Sequence, residues 1–315
     1  MTTGNLTDPI FHDEEAARQH FEAQRWPDGV ICPFCGSTDG ARPLAGKSMG
    51  PGWYYCGACK DKFTVRTKSV MERSHIPLHK WALGFRLMAS SKKGISAHQL
   101  FRQLGFGSYR TAWFMAMRIR EAMKESDPAP LGGEGKIVEA DETFSGPNQR
   151  VWNGKGWKKK RGATSKRDSI MGLVERGGRA RLFRLPNTTI CELRKVLEAN
   201  VDPASTLHTD QAPAYKTLGK AFAGHESVNH SEDEFARGSV TTNSAEGFFS
   251  IFKRGMVGVY QHCGQQHLQR YLTEFEFRYS HRSALGIEDA ERTDRAIKGA
   301  AGKRLRYRRP NRDAA

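Results

Sequence analysis

The sequence predicts a multidomain chain: a small cysteine-stapled ribbon, a helical helix-turn-helix-like segment, then an α/β domain. Three observations carry this. Two C-x-x-C pairs lie within the first sixty residues, helical periodicity fills 77–123, and beyond a Pro- and Gly-rich linker strand-like alternation interleaves with helices. The boundaries that follow are an N-terminal helix over 1–25, a zinc ribbon over 26–70, the helix-turn-helix-like region over 71–126, the α/β domain over 127–285 and a basic tail over 286–315.

Composition narrows the class of partner. Fifty Lys plus Arg against thirty-four Asp plus Glu leave a formal charge of +16 on 315 residues, which points to a polyanion, with nucleic acid the first candidate. No apolar run reaches the roughly 18–20 residues needed to span a bilayer. The amino terminus, MTTGNLTDPIFHDEEAARQH, has no basic patch followed by an apolar core, so a soluble, cytoplasmic protein is expected. Six cysteines in that setting are reduced, and the pairing of four of them points to metal before disulfides.

Residues 13–25 have the spacing of a short amphipathic helix. Cys32-Pro33-Phe34-Cys35 is followed after twenty residues by Cys56-Gly57-Ala58-Cys59. Each pair forms a knuckle that sets two thiolates on one edge of a tetrahedral ion, so the four together make a structural Zn2+ site. WYYC and KFTVRT read as the ribbon's strands, and Cys191 and Cys263 as ordinary single thiols. LHKWALGFRLMASS, ISAHQLFRQLGF and SYRTAWFMAMRIREAM then read as helices, with Gly105 and Gly107 in the turn before the last. Ser108, Tyr109 and Arg110 open that helix, and Arg118 and Arg120 follow along it, as candidates for phosphate and base-edge contact. A plain helical hairpin packed through Trp113, Phe114 and Met117 is the alternative. Residues 125–135, ESDPAPLGGEG, mark a domain boundary.

In the second domain KIVEADETF alternates as a strand ending at Asp141. The run NGKGWKKKRGATSKRDS, with Lys155, Lys158, Lys159, Lys160, Arg161, Lys166 and Arg167 interleaved by Trp152 and Trp157, suits phosphate contact and base stacking; a solvated loop is its structural alternative. SIMGLVER, Gly177-Gly178 and RARLFRLP complete a three-strand antiparallel meander. ICELRKVLEANV is a helix, STLHTD a strand ending on Asp210, HESVNH a short strand and EDEFARGS a loop. In TTNSAEGFFSIFKRG, helical spacing puts Glu246, Ser250 and Lys253 on one face and Phe248, Phe249 and Phe252 on another. Asn243 reads as the N-cap, with Glu246 completing a capping box. Two strand-end aspartates followed by a helical glutamate suit phosphoryl transfer on two hard divalent ions. Among competing groups, Glu139 shares a face with Asp141, Glu142 points the other way, His208 shares a face with Asp210, and Glu232, Asp233 and Glu234 form a solvated cluster.

VEADETF around Asp141, HTDQAPAY around Asp210 and TNSAEGFFSIFKRG around Glu246 resemble the three catalytic blocks of the DDE-superfamily bacterial insertion-sequence transposases that carry an amino-terminal zinc ribbon. GVYQHCGQQHLQRYLTEFEFRYSHR resembles the family's following block, and with CPFCGS, YYCGACK and FTVRTKSVMERSHIPLHKW the similarity spans roughly residues 25–282. The resemblance implies an RNase H-like catalytic domain with a mixed sheet, and Asp141, Asp210 and Glu246 as catalytic ligands of two Mg2+ or Mn2+ ions. It implies a DNA-binding role for Lys253, and Arg254 beside it joins Lys158, Lys159, Lys160, Arg161, Tyr109 and Arg110 as candidates for DNA contact. The partners implied are terminal inverted repeats and target DNA, held by a homodimer or larger assembly in the cytoplasm, on the nucleoid when bound. Two other readings use the same residues: a zinc-ribbon and helix-turn-helix regulator without catalysis, and an RNase H-like nuclease that cleaves without joining.

Overall fold

Hydrogen bonding in the computed structural model, which describes residues 5–44, 46, 49–146, 150–152, 154, 156–159, 167–229 and 236–305, defines these elements in chain order. They are α1 (Glu14–Arg25), β1 (Ala41–Pro43), β2 (Tyr54–Cys56), β3 (Lys62–Phe63), α2 (Leu78–Ser90), α3 (Ala97–Gln103) and α4 (Tyr109–Met123). Then come β4 (Ile137–Ser145), β5 (Arg150–Trp152), β6 (Trp157–Lys159), β7 (Asp168–Glu175), β8 (Ala180–Leu185), α5 (Ile190–Asn200), β9 (Thr206–Asp210) and α6 (Pro213–Leu218). The last are β10 (Gly224–Val228), α7 (Asn243–Gly255), α8 (Leu268–Ser280) and α9 (Asp289–Lys298). Contacts gather into two units: Met1–Glu125 with His281–Ala315, and Ser126–Ser280.

In the first unit α1 starts where Asp13 accepts a hydrogen bond from the Ala16 N–H at 2.7 Å, with Glu14 and Glu15 favourably placed in the first turn. β1, β2 and β3 form an antiparallel ribbon. Tyr54 and Phe63 stack at 5.6 Å, and the buried Trp26 meets both edge-on. Ser96 and Ser108 cap α3 and α4, bonding the N–H groups of Gln99 at 3.1 Å and Arg110 at 3.2 Å. Between those helices Gly105 sits at φ +58°, a left-handed conformation that suits glycine. The layout is the expected helix, turn, helix.

The segment 286–315, expected as a basic tail, opens instead with α9. Arg292, Thr293, Asp294, Ala296 and Ile297 are buried in the first unit. α9 packs against α2, and His20 of α1 bonds Asp294 at 3.1 Å. Arg292 reaches the backbone carbonyls of His281 at 2.5 Å and Ile287 at 3.0 Å and the Asp289 carboxylate at 2.6 Å. Charge dominates DAERTDRAIK, but its apolar and aliphatic atoms fall on one helical face, and the acids of the first turn and bases of the last match the helix dipole. Lys303, within the expected tail, donates to the Ala122 carbonyl at 2.9 Å. Residues 306–315 lie outside the described residues.

The second unit is built on a five-stranded mixed sheet in the order β10-β9-β4-β7-β8. β4, β7 and β8 form the antiparallel meander, whereas β9 runs parallel to β4, and β10 parallel to β9. This is the RNase H-like arrangement. Side chains alternate between its faces. Val138, Ala140, Met171 and Leu173 pack with residues of α5 and α6, while Ile170, Val174 and Leu182 pack with Phe248, Phe249 and Phe252 of α7 and Leu272 and Phe275 of α8. Gly172 lets α7 sit close: a Cβ there would lie 2.7 Å from the Phe249 ring. The basic run, whose structural alternative was a solvated loop, contains β6, which pairs with β5 just before the run in a two-stranded hairpin with Trp152 opposite Trp157.

If α9 is part of the first unit's core, Ile297→Ala removes a side chain that is 4% exposed and lowers stability by about 2–4 kcal/mol. Urea unfolding followed by tryptophan fluorescence measures this; an unchanged midpoint would restore the free-tail reading.

Candidate active site and zinc centre

The two cysteine knuckles are built alike. Gly36 and Lys60, each directly after the second cysteine of its pair, adopt φ of +76° and +64°. Their N–H groups return to the carbonyls of Cys32 and Cys56, both at 2.9 Å. The sulfurs of Cys32 and Cys59 lie 3.7 Å apart, as do those of Cys35 and Cys56, and all four lie within 4.8 Å of one another. A tetrahedron with Zn–S arms of about 2.3 Å has edges of about 3.8 Å, so this group fits Zn2+ without rearrangement. Cys56 is held down to about 7, first by the backbone N–H of Cys59 and also by that of Ala58. Cys59 is driven up to about 12: the backbone bond at Asp61 favours its thiolate, but desolvation and the neighbouring thiols outweigh it. Thiols this close cannot all ionise unless a cation sits among them.

In the second unit the sheet register places the acids. Glu139 pairs with His208 across the parallel β4 and β9, so two residues further along each strand Asp141 and Asp210 fall at neighbouring positions on the same face. Asp141 pairs on its other side with Gly172, the residue under Phe249, which makes that face the one covered by α7. Asp210 ends β9 as expected. Asp141 does not end β4: the strand continues to Ser145, because β7 pairs with it down to Asp168 while β9 pairs only as far as Glu139. Each aspartate bonds the backbone beside it, Asp141 with the Glu142 N–H at 2.7 Å and Asp210 with the Ala212 N–H at 3.0 Å.

Glu142 points to the opposite face, where Tyr215 of α6 donates its hydroxyl to it. Burial pushes Glu142 up to about 7, against the pull of the Tyr215 hydrogen bond, and the charges of Asp141 and Asp210 push the same way. Tyr215 is raised well above its ordinary value, by burial first and then by Glu142. The three acids therefore share one electrostatic neighbourhood.

Glu246 lies in the first turn of α7, exposed, on the helix that covers this face. The expected capping box with Asn243 does not form. Thr242 stands at the N-cap without a side-chain capping bond, and Asn243 is already helical. The capping acceptor comes from the sheet: Glu139, fully buried, accepts from the N–H groups of Ser244 at 2.7 Å and Ala245 at 3.1 Å and from the Ser244 hydroxyl at 3.0 Å. Arg176 pairs with the same carboxylate at 2.8 Å and also donates to the carbonyls of Ser239 and Thr241. His208 Nδ1, 3.3 Å from Arg176, completes the group; burial first, then Arg176, keep this imidazole below its usual range. The sequence pointed to Glu139 by face but not to this role, and Arg176 and Tyr215 carried no local signal. Among the described residues no three acids have their oxygens all within 4.8 Å of one another; the four cysteines alone meet that limit.

The candidate DNA contacts are dispersed. Lys253 and Arg254 are exposed in the last turn of α7, with Arg254 bonding the Ser250 carbonyl at 3.1 Å. Tyr109 is 49% exposed and Arg110 is exposed at the start of α4. Arg120, expected along the same helix as a contact, is only 2% exposed and packs inward, so it is not available to DNA. Lys158 and Lys159 lie on β6, whereas Lys155, Lys160, Arg161, Lys166 and the acids Glu232, Asp233 and Glu234 fall outside the described residues.

Residues 130–280 match the family described as ISXO2-like transposase domain, and residues 12–62 match the transposase zinc-ribbon domain. An uncharacterized protein in transposable element ISH50 of Halobacterium salinarum is 25% identical over 279 residues, covering 85% of this chain and 91% of its own length. Two solved structures, a pre-cleavage Mos1 transpososome and the Mos1 strand transfer complex, align at 13% and 14% identity. They cover 69% of this chain and 74% and 73% of their own, with TM-scores of 0.27, too low to read a common fold from.

Two neighbouring acids should respond oppositely to neutralisation. Glu139→Gln breaks a buried, multiply bonded ion pair and costs about 2–4 kcal/mol. Glu142 is raised from 4.5 to about 7, so between those values the folded state holds the extra proton and stability falls as pH rises. Glu142→Gln therefore stabilises the ion-free protein at pH 8, by up to about 3 kcal/mol, and much less at pH 5. Urea unfolding at both pH values tests the pair. For the ribbon, metal analysis should find one zinc per chain, and stripping it with a chelator, or replacing Cys56 by serine, should lower the melting temperature.

Proposed function

Because the chain belongs to the transposases that join an amino-terminal zinc ribbon to an ISXO2-like transposase domain, we propose that it binds the ends of an insertion sequence and catalyses their cleavage and transfer through Asp141, Asp210 and Glu246. The observation that carries this reading is the register: Asp141 and Asp210 fall side by side on adjacent parallel strands, on the face covered by the helix that bears Glu246. These carboxylates would hold Mg2+ or Mn2+, which would supply Lewis acidity to the phosphoryl oxygens and to the attacking water or 3′-hydroxyl.

The protein's part is placement and charge. Glu139 and Arg176 fix the start of α7 to β4, and so limit where Glu246 can reach relative to Asp141. Lys253, seven residues after Glu246, returns to nearly the same helical face roughly 10 Å along the axis, a spacing suited to holding a phosphate near the acids. Lys158, Lys159, Lys160, Arg161 and Arg254 add positive charge for the backbone, and Tyr109 and Arg110 open the helix proposed to read the terminal repeat. Two ends joined in one reaction call for a homodimer or larger assembly on DNA. Among the described residues no helix is long and apolar enough to cross a membrane, and we place the reaction in the cytoplasm.

Labelled DNA carrying the element's own ends, incubated with Mg2+ and a plasmid target, tests the proposal. Cleaved and joined products are expected, and Asp210→Asn should reduce both at least about 1,000-fold while end binding persists. Cleavage without joining would support the nuclease reading, and metal-independent binding with neither product the regulator.

A further inference from the structure

The first unit contains a cavity that neither the zinc site nor the acidic face uses. Its volume is about 560 Å³, within the roughly 300–1,000 Å³ of small-molecule sites. One wall is the segment 73–77 with the start of α2, and the other is the turn before α4 with that helix's first three turns. Arg73, Lys80, Arg110 and Arg118 line it, and no carboxylate does. Its apolar surface includes the Phe106 and Phe114 rings, each with a cation over one face: Lys80 at 5.5 Å from Phe106 and Arg118 at 4.6 Å from Phe114.

Two lining residues carry buried donors with no acceptor. Trp81 is fully buried and its indole Nε1 has no hydrogen-bond partner; the Nε of Arg118 is in the same condition. A buried unsatisfied donor costs about 1–3 kcal/mol, but neither nitrogen has surface open to a water-sized probe, so the demand for a ligand rests on the cations and rings that line the cavity. Arg118 is also pushed below its ordinary range, first by burial and then by Arg304, consistent with an excess of positive charge at this wall. A single ligand that is anionic, rich in acceptors and partly flat and apolar meets all of these demands.

We propose that this cavity binds one unstacked nucleotide, its base against the aromatic wall and its phosphate among the four cations. The site is separate from the catalytic reading, and depends on DNA binding only for the source of the nucleotide. The turn and first residues of α4 form one wall, so a nucleotide that leaves a strand lying along α4 has a short path into it, at the usual cost of unstacking. A free deoxynucleoside monophosphate presents the same chemistry.

The test uses the full-length, zinc-loaded protein with four probes: a fully paired duplex, the same duplex with one unpaired 2-aminopurine, free dAMP and inorganic phosphate. The duplex with the unpaired base should bind roughly tenfold tighter than the paired one, with its fluorescence raised as the base leaves the stack. Thr111→Trp, which fills the cavity, should remove that preference while leaving paired-duplex binding in place, and Arg118→Gln should weaken it. Zinc content and melting temperature establish that both variants fold. Saturable dAMP binding that phosphate does not match would identify a free nucleotide as a ligand. It would also uphold the site if neither duplex bound, in which case the DNA-binding reading alone would fail. Equal affinity for the two duplexes with no dAMP binding would overturn the proposal, as would a preference that survives Thr111→Trp or phosphate binding as tight as dAMP.

Discussion

Glu139 is fully buried, and a lone carboxylate there would cost more than a small domain can spare. It is tolerated because two N–H groups and a hydroxyl at the start of α7, together with the Arg176 guanidinium, converge on its two oxygens. Those helix N–H groups need acceptors in any case, and the helix dipole favours a negative charge at this end. One interaction thus satisfies the strand's acid and the helix's donors together. It also sets geometry. Asp141 is two residues from Glu139 on β4 and Glu246 is one residue from Ala245 on α7, so both candidate ligands are offset by a residue or two from a common anchor. The phenylalanines of α7 are buried in the core beside the sheet, with Phe249 seated over Gly172, and oppose rotation of the helix about that anchor.

β4 carries three acids within four residues, and their surroundings divide the work. Glu139 faces donors and a cation; Asp141 faces the helix-covered side beside Asp210; Glu142 turns to the other face, into a mainly apolar layer with one tyrosine hydroxyl. The alternation of a strand accounts for the division. In a chain whose net charge is +16, this gathering of acids is local and runs against the average.

Much of this was legible in the sequence because it depends on spacing. The two cysteine pairs fix a tetrahedral site through local turns, and the strands of the meander and the phenylalanine face of α7 follow from periods of two and 3.6 residues, whereas the mixed sheet was expected only from the family resemblance. What escaped was long-range or compensating. Asn243 carries a good capping signal that the fold does not use, since an acceptor more than a hundred residues away takes the place of a local cap. Asp141 read as a strand end because its parallel and antiparallel partners stop at different residues, which no single strand reveals. α9 read as tail because its buried positions include Arg292 and Asp294, whose charges are matched by backbone carbonyls and by His20. Arg120 read as a DNA contact for the same reason: charge alone does not report which way a side chain faces.

The placement of α9 has a consequence for how the protein is made. α2 ends at Ser90, but the helix that covers it begins only at Asp289, after the whole of the other unit has been synthesised. At roughly 5–20 residues per second, a nascent chain leaves the α9-facing side of α2 uncovered for roughly 10–40 s, with only α1 and α4 of the α-helices packed against it. A ribosome that stops early therefore releases a chain whose first unit is unfinished as well as its second.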